Sequence, residues 1–270
     1  MEKNNVANNE NTFYVILGKA MKFPGVRIDR TEFLRRELTN HFKPEIVELA
    51  IEKNPAFAGI TLSQIEHIAR SSINYETGIT TVTSAAAGLP GGAAMFGTVP
   101  LDITQYFVHL IRVLQKLAFL YGWKEFYDSN GEFDDETSNR ITLFMGVMFG
   151  VGAANIVLAK IAKQAAIGVE KQLLNRALTK GFVYPIVKKT AQILGARMTT
   201  GIFAKSVGSL VPVVGAVISG GLTYVTFLPN SNNLKKYLRK LPIADVEFYK
   251  TEHNDINEDE IVDVDIIEIE

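Results

Sequence analysis

The chain has 270 residues, no cysteine and a formal net charge of -1, with 28 Lys and Arg against 29 Asp and Glu. This length is enough to bury a large core, and the lack of cysteine excludes a disulfide scaffold and any thiolate metal site. The near-neutral total hides an uneven distribution, because residues 251–270 hold nine of the acids and no Lys or Arg. Residues 1–250 therefore carry 28 basic and 20 acidic side chains, about +8, which suits a surface of anionic lipids.

Three long stretches contain no Asp, Glu, Lys or Arg: residues 77–101, 141–159 and 206–234. Such runs are typical of helices at a membrane and of very apolar helices packed against each other. Spanning a bilayer takes about 20 apolar residues, and the Gly, Pro and Asn residues inside these runs make each of them borderline. The runs alone do not distinguish a spanning segment from a buried one.

The first third of the chain shows helical periodicity with recognisable start signals. Residues 1–11 are polar and rich in Asn, and we predict that they are disordered. Apolar residues with helical spacing cover 31–53, where Pro44 suits a first helical turn. The next helix opens at Thr61, whose spacing to Gln64 is that of a capping box.

The segment 88–100 is not compatible with one continuous helix. Pro90 and Pro100 each lack a backbone donor, and four glycines lie between or beside them. The simplest interpretation is a helix–break–helix hairpin. Pro100 then begins a long helix, with Asp102 in its first turn and Gly122 as its carboxy-terminal cap.

The run 141–159 is predicted to form a single helix that begins shortly before it. Gly146, Gly150 and Ala154 recur every four residues. Small residues at that spacing let a neighbouring helix approach closely, in lipid or in a dense core. We therefore expect a large residue at Gly150 to force two helices apart.

Further helices are predicted in the last third of the chain. Two amphipathic helices cover 166–180 and 185–204, and Pro212 predicts a break or kink in the apolar helix that follows. A short basic helix is predicted from Asn230 to Leu241.

Convincing strand periodicity is absent outside the acidic end of the sequence, so the predicted class is all-α. We expect a multi-helix bundle with glycine-rich apolar helical hairpins. One helical domain is predicted over 12–250, preceded by the disordered residues 1–11 and followed by an acidic tail at 251–270.

The helix that begins at Pro100 carries a polar stripe with spacings of 3, 4, 3 and 4: Asp102, Gln105, His109, Arg112 and Lys116. One interpretation is the lining of a cleft in which Asp102 and His109 form an acid–base pair, with Gln105 beside them. The other, which we favour, is the solvated side of an amphipathic helix. Asp102, Gln105 and His109 are thus the candidate catalytic residues.

Other patterns that carry chemistry are missing from the sequence. None of the four histidines, His41, His67, His109 and His253, is paired at helical spacing, and no zinc-protease motif occurs. The glycine-rich segments lack the Lys-Ser or Lys-Thr of a phosphate-binding loop, and no nucleophile elbow is present. We expect no metal site, no cofactor and no binding of nucleic acid, since no basic stripe with interleaved aromatics occurs.

Several motifs resemble the EcsC protein family, and together they cover most of residues 60–240. The matching segments are Gly88-Leu89-Pro90-Gly91-Gly92, Pro100-Leu101-Asp102, Gln115-Lys116-Leu117-Ala118, Leu120-Tyr121-Gly122-Trp123, Lys205, Val211-Pro212-Val213-Val214-Gly215 and Gly220-Gly221. The family is named after the third gene beside an ABC exporter linked to protein secretion. The resemblance implies a link to a membrane transporter, and it supplies no agreed catalytic residues.

The uncharged runs beside a basic body favour a membrane-associated helical accessory or interaction protein over an enzyme. The amino terminus lacks the apolar core of a signal peptide, so we expect a cytoplasmic position, peripheral or integral at the inner face of the cell membrane. Expected partners are anionic lipids and a membrane transporter, and self-association is compatible with the apolar runs. Two alternatives stay open: a hydrolase with a polar site around Asp102, and a pore-forming or membrane-remodelling protein that inserts its glycine-rich hairpins.

Overall fold

The computed structural model describes residues 2–87, 101–127, 134–168, 183–208 and 212–252. Side chains are described over 9–82, 104–127, 134–168, 184–196 and 224–251. The helices in these ranges are α1 (Glu2–Met21), α2 (Arg30–Leu38), α3 (Pro44–Glu52), α4 (Leu62–Ala87), α5 (Leu101–Leu120), α6 (Asp135–Met148), α7 (Gly152–Ala166), α8 (Val183–Gly208), α9 (Pro212–Leu238) and α10 (Val246–Glu252), with a 3-10 turn at Pro242–Ala244. No strand occurs in these ranges, which confirms the all-α class.

Helix α5 lies in the middle of the bundle and contributes the largest part of the core. It packs against α4, α1 and α9, while α4 runs along α9 and α1 along α8. The side of α5 opposite the polar stripe is completely buried, as its apolar spacing predicts. Its fully buried apolar residues are Leu110, Ile111, Val113, Leu114, Leu117, Ala118 and Phe119.

Local sequence signals define several helix ends. Pro44 is the first residue of α3, and the backbone N–H of Thr61 donates to Gln64 Oε1 at 2.9 Å ahead of α4. Asp134 caps α6 by accepting from a backbone N–H three residues on at 2.8 Å. Gly122 ends α5 with φ +98°, a conformation that glycine adopts without strain.

The amino-terminal segment differs from the prediction of disorder. Residues 2–11 belong to α1, whose later residues Phe13, Ile16 and Leu17 are fully buried. A Cβ at Gly195 of α8 would overlap the backbone of Asn9, so the missing side chain lets the two helices meet closely. The composition of a short polar stretch does not reveal that it extends a helix with a large packed partner.

The prediction of one helix through 141–159 is wrong, because α6 ends at Met148 and α7 begins at Gly152. Gly150 between them has φ +74°, which a helix interior does not allow. A Cβ at Gly150 would meet nothing within 4 Å, so the close approach of two helices expected at this glycine is not found. The close approach occurs instead at Gly146, where a Cβ would lie 2.7 Å from the Ala154 Cβ.

The break or kink predicted at Pro212 borders residues outside the described ranges, since α8 is described to Gly208 and α9 from Pro212. The separate basic helix from Asn230 is not found, because α9 continues through Pro229 to Leu238. Pro229 has no backbone N–H, so it does not donate the usual helical hydrogen bond to the carbonyl of Val225. Val225 is 59% exposed. Water can therefore satisfy that carbonyl, and the helix need not end at the proline.

The remaining predictions divide between the described and the undescribed parts of the chain. The helix expected at 185–204 lies within α8. The hairpin expected at 88–100, most of the helix expected at 166–180, and the tail after Glu252 lie outside the described residues. In the helices that the structure describes, no segment combines the length and hydropathy needed to cross a bilayer.

A buried carboxylate network as the candidate functional site

Helices α4 and α5 meet at Glu76, a completely buried carboxylate surrounded by basic side chains. His109 Nδ1 lies 2.7 Å from Glu76 Oε2. Arg112 Nε donates to Oε1 at 3.1 Å, and Lys116 Nζ donates to the same oxygen at 2.7 Å. These four residues, Glu76, His109, Arg112 and Lys116, are called the Glu76 network below.

Helical spacing brings these residues together. His109, Arg112 and Lys116 follow one another at intervals of 3 and 4, so they project from one face of α5. On α4, Glu76 continues the row of buried residues at Ala69 and Ser72. A charged residue on the buried face of one helix thus meets the polar face of the other.

The network keeps Glu76 ionised. Burial alone would raise the pKa of Glu76, but the hydrogen bond from His109 and the charges of Lys116 and Arg112 outweigh it and lower the pKa to about 2. A carboxyl group with this pKa carries no proton at neutral pH and does not serve there as a general acid. The arrangement suits an electrostatic clamp between two helices.

The basic residues also make contacts outside the Glu76 network. Arg112 donates to the carbonyl oxygen of Gly25, and Lys116 Nζ lies 4.9 Å from the centre of the Tyr75 ring. Gln115, which directly precedes Lys116 on α5, is buried and donates to the Val26 carbonyl at 2.8 Å. Helix α5 therefore holds both α4 and the segment that joins α1 to α2.

A second carboxylate on α4 makes the corresponding connection to α9. Glu66 Oε1 accepts from Lys235 Nζ at 2.6 Å and from Arg70 Nε at 3.1 Å, and Arg239 lies 3.8 Å from Oε2. Burial would raise the pKa of Glu66, but these hydrogen bonds and charges lower it. Glu66, Arg70, Lys235 and Arg239 form the Glu66 cluster.

A cavity of about 320 Å³ lies beside this cluster, in the groove between α4 and α9. It is lined by Arg70, Ile73, Asn74, Leu228, Asn232 and Lys235. The lining combines two cations and two amides with two aliphatic side chains. Such a mixture can bind a ligand that is both anionic and partly apolar.

The structure places the predicted catalytic residues in different surroundings. His109 is joined to Glu76, and Gln105 is half-buried on the same helix. Asp102 lies in the first turn of α5, where side chains are not described. The interpretation of the stripe as a solvated face is wrong for Lys116, which is only 5% exposed, because α4 covers it.

The residues that carry the EcsC resemblance are spread over the described and undescribed parts. Lys116 belongs to the Glu76 network, Tyr121 is buried in the core, and Gly122 caps α5. Backbone positions alone are described for Asp102, Lys205, Pro212 and Gly215. Outside the described residues lie Gly88, Pro90, Gly91, Gly92 and Pro100.

Sequence reasoning missed both Glu66 and Glu76. A signal for Glu76 was present, because the apolar spacing through Ile65, Ala69 and Ile73 places position 76 on the buried face. An acid at such a position needs a basic partner, and the α5 stripe supplies three. Glu66 lies at the edge of that face and offers no comparable signal.

The comparisons with known proteins add no relative. Among the described side chains, no group of three or more His, Asp or Glu is arranged to hold a metal ion. The chain matches no protein-family model, no curated protein and no solved structure.

Proposed function

We propose that this protein is a membrane-associated helical accessory protein that contacts the inner face of the cell membrane through one end of its bundle. This uncharged end consists of α4 from Thr77 to Ala87, α9 from Pro212 to Val225, and the start of α5. The single observation that carries the proposal is that exposed large apolar side chains coincide at this end with two uncharged helix segments.

The contacts between α4 and α9 bring their uncharged halves together. Glu66 pairs with Lys235 near one end, and Ile73 faces Leu228 across the cavity, so the two helices run antiparallel. The Tyr106 hydroxyl donates to Thr226 Oγ1 at 3.3 Å, which places the start of α5 beside the same part of α9. Two of the three uncharged runs of the sequence therefore meet at one end.

Large apolar side chains are exposed there. Val82 is 68% exposed, Val225 59% and Tyr224 51%. Exposure of these side chains to water is unfavourable, whereas the interfacial region of a bilayer accommodates both aliphatic side chains and tyrosine. The basic Glu66 cluster begins at Arg70, about 18 Å from Val82 along α4, and its cations would lie above the anionic headgroups.

The proposed partner follows from the resemblance to the EcsC family. We extend the proposal to a contact with a membrane transporter, and to glycine-rich hairpins at segment 88–100 that would prolong the uncharged end. Site-directed cross-linking from Val82 in intact cells would test the transporter contact. A cross-link to lipid alone would contradict the transporter contact.

Vesicle cosedimentation tests the membrane contact. We expect the unmodified protein to sediment with phosphatidylcholine vesicles that contain phosphatidylglycerol, and Val82→Asp or Val225→Asp to weaken that binding at least tenfold. Each substitution removes about 1.5–3 kcal/mol of apolar burial and adds a charge that must be desolvated. Ile156→Asp is the matched control, because Ile156 is 63% exposed on α7.

The control position lies near the other end of α9, since the Tyr237 hydroxyl donates to the carbonyl of Asn155. Ile156→Asp should therefore bind vesicles as the unmodified protein does. Equal losses in all three variants, or no sedimentation of the unmodified protein, would overturn the proposal. Release of a dye enclosed in the vesicles would instead favour the pore-forming alternative.

A further inference from the structure

We infer that the cavity between α4 and α9 binds the phosphate group of an anionic phospholipid headgroup, an inference that rests on the proposed function. The cavity lies beside the Glu66 cluster and is lined by Arg70, Asn74, Asn232 and Lys235 together with Ile73 and Leu228. Its volume of about 320 Å³ falls in the range of small-ligand sites.

The charge at the cavity is positive after its internal ion pairs are counted. The Glu66 cluster contains three cations, Arg70, Lys235 and Arg239, and one carboxylate. Two positive charges are therefore not balanced within the cluster. A bound phosphate would neutralise these charges and would accept charge-assisted hydrogen bonds from the same side chains.

Arg70 is the residue best placed to meet a ligand from solution. Its side chain is 67% exposed, and Nε donates to Glu66 Oε1, so the guanidinium is oriented by a residue of the cluster. A guanidinium forms paired hydrogen bonds with phosphate oxygens, which an ammonium does not. Lys235 is only 6% exposed and contributes mainly its charge.

The remaining lining residues fit an amphiphile better than a bare anion. Asn74 is exposed on α4, and Asn232 donates to the Leu228 carbonyl at 2.9 Å, which orients its amide. Ile73 and Leu228 add apolar surface beside these polar groups. A phosphate bound by the cations would place its glycerol or acyl portion against this apolar surface.

The position of the cavity along α4 favours a lipid over a dissolved phosphate. Arg70, the proposed phosphate ligand, lies twelve positions before Val82, about 18 Å along the helix. Interfacial helices sink by about 5–10 Å into the headgroup and acyl boundary. If Val82 sinks to that depth with α4 upright, the Arg70 backbone lies about 8–13 Å outside the boundary, and its long side chain reaches back into the headgroup layer.

Vesicles of two compositions test the inference. Affinity is measured for phosphatidylcholine vesicles and for vesicles in which part of that lipid is replaced by phosphatidylglycerol. Arg70→Gln should lower the affinity for the second vesicles about tenfold or more and change the first much less, because the choline ammonium of phosphatidylcholine neutralises its phosphate. Lys236→Gln is the control, because it removes one exposed cation beside Lys235 but not from the cavity.

The control variant should lose no more than about fivefold, the general contribution of one basic side chain near an anionic surface. Thermal melts of both variants establish that they are folded. Equal losses for Arg70→Gln and Lys236→Gln would mean diffuse attraction and would overturn the inference.

A titration with sn-glycerol 3-phosphate distinguishes a lipid from a soluble ligand. Binding of this compound that requires Arg70, without any preference for phosphatidylglycerol vesicles, would uphold the phosphate chemistry and overturn the lipid source. No binding that depends on Arg70 in either assay would overturn both. The proposed function is judged separately by Val82→Asp, which lies outside the cavity and should lose binding to both kinds of vesicle.

Discussion

The substitution Glu76→Gln should destabilise the protein severely, although it changes one oxygen into an amide nitrogen. The substitution removes the only negative charge in the Glu76 network and leaves Lys116, 5% exposed, and Arg112 facing a neutral group. Breaking a buried ion pair by removing one partner typically costs about 3–5 kcal/mol. The loss should therefore be visible as a clear fall in the free energy of unfolding.

The pKa of Glu76 gives an independent magnitude. The shift from the ordinary 4.5 to about 2 corresponds to about 3 kcal/mol of stabilisation at neutral pH, at about 1.4 kcal/mol for each pH unit. Because the folded-state pKa is lowered, this stabilisation is fully present above pH 4.5 and is lost as the pH falls towards 2. The difference between the two proteins should shrink over the same interval.

Urea unfolding followed by circular dichroism, at several values of pH from 7 down to 3, measures both effects. The matched control is Glu48→Gln, because Glu48 also pairs with an arginine, Arg35, but its side chain is 56% exposed. Its free energy of unfolding should hardly change, since exposed ion pairs contribute little. Equal effects of the two substitutions at pH 7, or a Glu76→Gln effect that does not depend on pH, would refute the reasoning.

Three further changes test the packing at glycines and the role of the acidic tail. Gly122→Ala should lower the melting temperature more than Gly150→Ala, because both glycines have positive φ but only a Cβ at Gly122 would lie 2.5 Å from the Ile243 carbonyl oxygen. Gly146→Leu should cost about 1–3 kcal/mol by overpacking, and unchanged urea unfolding would show that the neighbouring helices separate freely. Removal of residues 251–270 deletes nine acids and should strengthen cosedimentation with anionic vesicles at matched salt, whereas weaker binding would assign the contact to the tail.

Helix ends were predictable where one residue determines the local geometry. Pro44 at the start of α3 and Gly122 after α5 both occupy the predicted positions. The errors arose where tertiary packing, rather than a single residue, determines where a helix ends. Pro229 does not end α9, and a single helix was predicted across Gly150 because periodicity does not report the sign of φ.

The candidate site was predictable on one side only. The spacing of His109, Arg112 and Lys116 predicts a polar face on α5, and that face exists. Periodicity within a helix does not reveal which helix covers the face, and Glu76 lies 33 residues before His109. The partner therefore emerged only from the packing of α4 on α5, and with it a buried electrostatic role replaced a solvated one.

The two carboxylates of α4 have a consequence for how its neighbours align. A slip of α9 along α4 by one helical turn would separate the charged partners of the two helices. Such a slip would move Glu66 about 5 Å from Lys235 and break the 2.6 Å contact between the two helices. The hydrogen bond from Lys116 to Glu76 fixes the position of α5 along α4 in the same way. Two charged positions ten residues apart on one helix thus favour one register against two different partners.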